Sequence, residues 1–139
     1  MGIFLFMNKI LLLLIILFSS LYSENIKWHS SYDKALNIAH KEKKNLMIFI
    51  ASSKTKTSNI ILGKYFKNEK YNKFLNENFV NVLITVEYKT SYPIELFYTN
   101  EFPSIFFASY KDESFLTHPI YGLKNQEDFL NTLYSLGYK

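Results

Sequence analysis

Two apolar runs limit what this chain can fold into more than any other feature. NLMIFIA at 45–51 is almost unbroken hydrophobic sequence, and FVNVLITV at 79–86 is rich in β-branched residues. A strand with one wet face alternates apolar and polar residues, whereas a strand covered on both faces does not. Between the runs, Ile60, Ile61, Leu62, Tyr65 and Phe66, and then Tyr71, Phe74 and Leu75, recur at helical spacing, with a break expected near Asn68. Two buried strands joined through helix form a parallel pair with a right-handed crossover.

The flanking segments extend this pattern. In SSYDKALNIAHKEKK, residues Tyr32, Ala35, Leu36, Ile38 and Ala39 share a helical face, with Ser30 or Ser31 as N-cap and Asp33 in the first turn. A short helix is expected at 93–98 and a third strand at 104–108, opening just after Pro103. YKDES then forms a hairpin turn that returns an antiparallel strand over 115–121. A last helix starts at Asn125, carries Glu127 and Asp128 in its first turn, buries Phe129, Leu130, Leu133 and Leu136, and stops at Gly137. The expected class is α/β, a central mixed sheet flanked by helices in one domain at 24–139.

Residues 1–23 read differently. A lone Lys9 precedes an apolar run from Ile10 to Phe18, then small or polar residues to Ser23, the outline of a secretory signal peptide cleaved after Ser23. Met7 offers a second conventional start. The alternative is an uncleaved anchor, since 3–22 is almost long enough to span a bilayer. Cleavage implies a periplasmic or otherwise exported bacterial protein, and membrane association only if the leader stays attached. Exported small domains often carry disulfides, yet the 139 residues contain no cysteine. Thiol catalysis, disulfides and cysteine metal sites are therefore excluded.

Every one of the 16 basic residues is lysine, and the net charge is only +4. Lysines interleaved with glutamates mark a solvated helix face, and without arginine forks nucleic acid is not an expected partner. His29, His40 and His118 lack metal-ligand spacing, so neither a metal nor another cofactor is expected.

The element order, a lead-in tryptophan at Trp28, the DKALNIAHKEKKNLMIFIA block, NENFVNVLITVE, Pro103 in EFPSIFF and YGLKNQEDFLNTL together resemble exported thioredoxin-like domains, from about Trp28 to the C-terminus. The resemblance implies a thioredoxin fold with Pro103 as the family's cis-proline. It also implies that the backbone of Phe102 pairs with an extended peptide held against the turn after the first buried strand. Laid on ASSKTKT, the family's cysteine turn puts Ser53 at the aromatic position, Lys54 at the nucleophile and Thr57 at the resolving cysteine. An amine and a hydroxyl cannot form the mixed disulfide that a thiolate forms.

Two readings of the degenerate turn, Ser53, Lys54, Thr55, Lys56 and Thr57, follow. Its lysines, hydroxyls and free N–H groups could hold an anion at a helix start, or they are solvated surface. The second is favoured, because lysines oppose the dipole there and phosphate-loop glycines are absent. The expected function is a redox-inactive, monomeric or weakly associated protein that binds a protein or peptide beside Phe102 and Pro103, as a holder or assembly factor. The competing expectations are a non-thiol site at Lys54 to Ser58 and a purely structural tethered domain. Tyr88, Tyr92, Phe97, Tyr98 and Phe102 cluster in sequence near the expected groove, and Trp28 is expected to anchor the first helix of the domain.

Overall fold

The computed structural model describes residues 2–19, 24–88 and 92–139. Helix α1 (Gly2–Ser19) is followed by β1 (Trp28–His29), α2 (Tyr32–Glu42), β2 (Asn45–Ala51), α3 (Thr57–Tyr65), α4 (Tyr71–Asn78), β3 (Phe79–Thr85), β4 (Ser104–Ala108) and α5 (Gln126–Ser135). The four strands form one sheet in the order β1-β3-β2-β4. β2 runs parallel to β3 in the register Asn45↔Phe79 to Ala51↔Thr85, and antiparallel to β4 in the register Leu46↔Ala108 to Ile50↔Ser104. The crossover that the two apolar runs required is present.

Both faces of β2 are buried, which is why its sequence does not alternate. Met47, Phe49 and Ala51 face a cluster built from Ile61, Phe66, Tyr71, Leu75, Phe129 and Leu133, so α3, α4 and α5 cover that side. Leu46, Ile48 and Ile50 face Tyr32, Ala35, Ala39 and Phe97, so α2 and the segment before β4 cover the other. Local signals set the helix ends. The Ser31 hydroxyl accepts from the Lys34 N–H, the Asn125 side chain accepts from the Asp128 N–H, and left-handed Lys43 (φ 55°) closes α2. Asn68 is left-handed as well (φ 55°), at the expected break between α3 and α4.

Three expectations are corrected. Residues 93–98 make one turn, closed by the Leu96 and Phe97 N–H groups on the Pro93 carbonyl, rather than a helix. Phe97 is fully buried there, and its docking between Tyr32 and Phe106 takes precedence over continuing the helical path. Residues 115–121 do return antiparallel to β4, but only as two isolated bridges, Ala108↔Phe115 and Ile105↔Ile120. The register slips by two residues between those bridges: the Leu116 N–H donates to the Phe107 carbonyl and Ile120 exchanges both bonds with Ile105, so Thr117, His118 and Pro119 together stand opposite Phe106 and break the ladder. Trp28 does not anchor α2. It lies in β1 and packs edge-on against Phe49 and Phe66, on the opposite face of the sheet.

The side chains of residues 2–17 on α1 are exposed throughout. Among the described residues no helix is long and apolar enough to cross a membrane. The expected cleavage point after Ser23 lies outside the described residues.

Candidate binding groove at the β2 turn and the head of β4

β2 ends at Ala51, and the chain turns through 52–56 into α3. The antiparallel register ends at Ile50↔Ser104, so the turn after β2 and the Phe102–Pro103 segment before β4 meet at the same end of the sheet. The sheet therefore brings together the two sequence-distant halves of the expected site. Ser53, Lys54, Thr55, Lys56 and Thr57 are all exposed, Phe102 is half-buried and Pro103 is buried. The Phe102–Pro103 peptide bond is cis.

Each half is fixed by hydroxyl groups. In the turn, the buried Ser58 hydroxyl accepts from the Ser52 N–H at 3.2 Å, and the Ser52 hydroxyl accepts from the Lys54 N–H at 3.3 Å. At the head of β4, the fully buried Ser104 hydroxyl donates to the Glu101 carbonyl at 2.5 Å and accepts from the Gly122 N–H at 3.3 Å. Thr99 Oγ1 accepts from the Glu101 N–H at 3.1 Å and lies 2.9 Å from Ser104 Oγ. Among the described residues neither the N–H nor the C=O of Phe102 has a hydrogen-bond partner.

The turn also contains a participant that sequence reasoning missed. Glu87, just beyond β3, reaches across so that its carboxylate accepts from the Ser52 hydroxyl and, at 2.8 Å, from the Ser53 N–H. These two hydrogen bonds, the Ser52 hydroxyl first, pull the Glu87 carboxyl down from 4.5 to about 2. The first turn of α3 has no acidic residue and no side-chain cap. Glu87 thus supplies the negative charge that the lysine-bearing turn lacks near a helix N-terminus. The only sequence signal for this was a carboxylate directly after a buried strand parallel to β2.

Because the folded pKa lies below the unfolded one, the Glu87 contacts contribute in full above about pH 4.5 and are lost as pH falls towards 2. In a proton–nitrogen NMR titration the Ser53 amide shift is expected to move with a midpoint near 2, and Glu87→Gln abolishes that transition. A midpoint at the ordinary 4.5 would mean that the bond to Glu87 does not form.

The sequence-adjacent aromatics separate in space. Phe97 is core, Tyr92 and Phe102 pack partly buried on the α2 side, and Tyr88 and Tyr98 remain exposed. The three histidines do not converge: His29 is in β1, His40 in the last turn of α2, and His118 stands edge-on to Tyr121.

No protein-family profile matches the sequence, and no curated protein matches it. Solved structures do. A thioredoxin from Thermus thermophilus is similar over 81% of this chain and 88% of its own, with a TM-score of 0.68 at 16% identity. A poplar thioredoxin h is similar over 84% and 100%, with a TM-score of 0.62 at 13% identity. The DsbH oxidoreductase is similar over 81% and 85%, with a TM-score of 0.61 at 14% identity. The chain has the thioredoxin-like fold, with no cysteine anywhere in it to carry that fold's thiol chemistry.

Proposed function

We propose that this is an exported protein without thiol–disulfide activity that holds an extended segment of another protein in the groove between the 52–57 turn and Phe102–Pro103. It acts as a holder or assembly factor, monomeric or weakly associated. One observation supports this above the rest: the N–H and C=O of half-buried Phe102, at the head of β4, have no hydrogen-bond partner among the described residues. Unpaired backbone groups at a sheet edge are what an added extended peptide uses for affinity, with side-chain pockets supplying specificity.

Of the two competing readings, the anion site at Lys54 to Ser58 is weakened by Glu87. Its carboxylate already accepts from the Ser53 N–H, and the Ser52 hydroxyl already accepts from that of Lys54, so an incoming anion meets a negative charge and occupied donors. The tethered structural reading depends on retention of the leader, which the intact mass of the mature protein decides.

The groove is tested by retention of envelope proteins on the protein as bait, against a Phe102→Asp, Lys54→Glu double variant. A partner held by the groove loses about tenfold or more of its affinity when a charge replaces an anchoring ring. Equal retention by both proteins would move the function off this face.

A further inference from the structure

The loop that leads into Pro103 borders an open hollow for which the groove itself gives no role. A pocket of 420 Å³ is lined by Tyr98, Thr99, Asn100, Glu101 and Tyr121. Its chemistry is two phenol rings and one carboxylate. Tyr98 is 66% exposed and leaves its ring largely uncovered, while Tyr121, 44% exposed, is braced by edge-on contacts with Phe106 and His118. The Glu101 carboxylate has no ion pair or hydrogen bond among the described residues. The loop is nevertheless held in shape by Thr99 and Ser104. Gly122 (φ +67°) contributes as well: a Cβ there would lie 3.1 Å from Glu101 Oε2 and 3.3 Å from Glu101 Cβ. The absent side chain lets Glu101 lie against the backbone beside Tyr121.

We propose that this pocket receives a cationic side chain, lysine or arginine, carried by the segment held in the groove. A cation against the face of a tyrosine is attracted by the ring quadrupole, and Glu101 adds the countercharge that a guanidinium fork or an ammonium pairs with. A neutral side chain of similar length gains only apolar contact, and an acidic one meets Glu101 and the negative ring faces. The pocket therefore selects by sign of charge. The extended form of the ligand rests on the groove reading; the charge preference of the pocket does not.

The test uses the full chain in a non-ionic detergent with two kinds of probe, read by amide shifts of Glu101 and Gly122. N-acetyl-arginine amide, set against N-acetyl-norleucine amide, reports on the pocket alone. Capped alanine pentapeptides with arginine, norleucine or glutamate at the centre report on pocket and groove together. The arginine probe is expected to bind about fivefold more tightly than norleucine in each series. Glu101→Gln reduces that preference to about twofold or less, and Tyr98→Leu weakens it while circular dichroism stays unchanged. Equal affinities for arginine and norleucine, or a preference untouched by Glu101→Gln, overturn the proposal. Pentapeptides that bind without charge preference and are lost in Phe102→Asp would leave the groove standing and remove the pocket. A preference seen with the capped amino acid alone would leave the pocket standing and remove the groove.

Discussion

Phe129→Ala is expected to lower the unfolding free energy by about 3–5 kcal/mol, the usual cost of emptying a large aromatic from a packed core. Phe129 is fully buried, and its ring centroid lies 5.0 Å from that of Phe66, 5.4 Å from Tyr71 and 6.4 Å from Phe107. Those partners belong to α4, β4 and the end of α3, so one ring joins the C-terminal helix to both other layers on that face. Removing it forfeits apolar transfer, edge-on ring contacts and the density around the cavity together. Small domains are stable by only about 5–15 kcal/mol, so the loss is a large fraction of the total. Urea unfolding followed by circular dichroism measures it, with a midpoint well below that of the wild type. Ile60→Ala on exposed α3 sequence serves as the control and stays within about 0.5 kcal/mol. A midpoint for Phe129→Ala that matched this control would contradict the placement of α5 on the sheet.

The contrast between these two positions explains what could be read in advance. Burial repeated along an element leaves a pattern. β2 is a nearly continuous apolar run and β3 a run rich in β-branched residues, broken by Asn81, because both are covered on two faces, and α2 and α5 declare themselves through Ser31, Asn125 and the spacing of their apolar residues. The sheet order and the fold follow from those few elements and the crossover rule. Elements set by a single event are different. Pro93 to Tyr98 has helical composition, but one buried ring, Phe97, decides its path. The strand expected at 115–121 fails at one local slip of register, where residues 117–119 all stand opposite Phe106. Trp28 fits either face of the sheet by sequence, and the choice depends on Phe49 and Phe66 reaching it. The site divides the same way. The turn and Phe102–Pro103 were legible because strand ends place them, whereas Glu87 meets Ser52 and Ser53 across 35 and 34 residues and no local pattern encodes that pairing.

The largest functional change is expected from putting thiols where the turn lacks them. Lys54→Cys combined with Thr57→Cys should give this cysteine-free chain the ability to turn over insulin with dithiothreitol as reductant. The scaffold that such a pair needs is already built. Thr57 begins α3, Lys54 sits in the preceding turn, both are exposed, and the turn is pinned by Ser52 and Ser58, so neither substitution disturbs the core. A thiolate at 54 lies near the positive end of α3, which lowers a thiol below its free value of about 8.5. Glu87 opposes this, since its carboxylate is bound to the adjoining Ser53 N–H. Adding Glu87→Gln should therefore lower the thiol pKa further and raise the thiolate fraction at neutral pH, which absorbance titration of the thiolate reads directly. The effects are separable: oxidised mass reports whether the pair closes, titration reports the electrostatics, and turnover reports both. If the double variant keeps two ordinary thiols and does not close under mild oxidant, the turn shares only its position with the redox proteins of this fold. If it closes and turns over, the nucleophile was the missing part, and the groove around it is competent to hold a polypeptide in place.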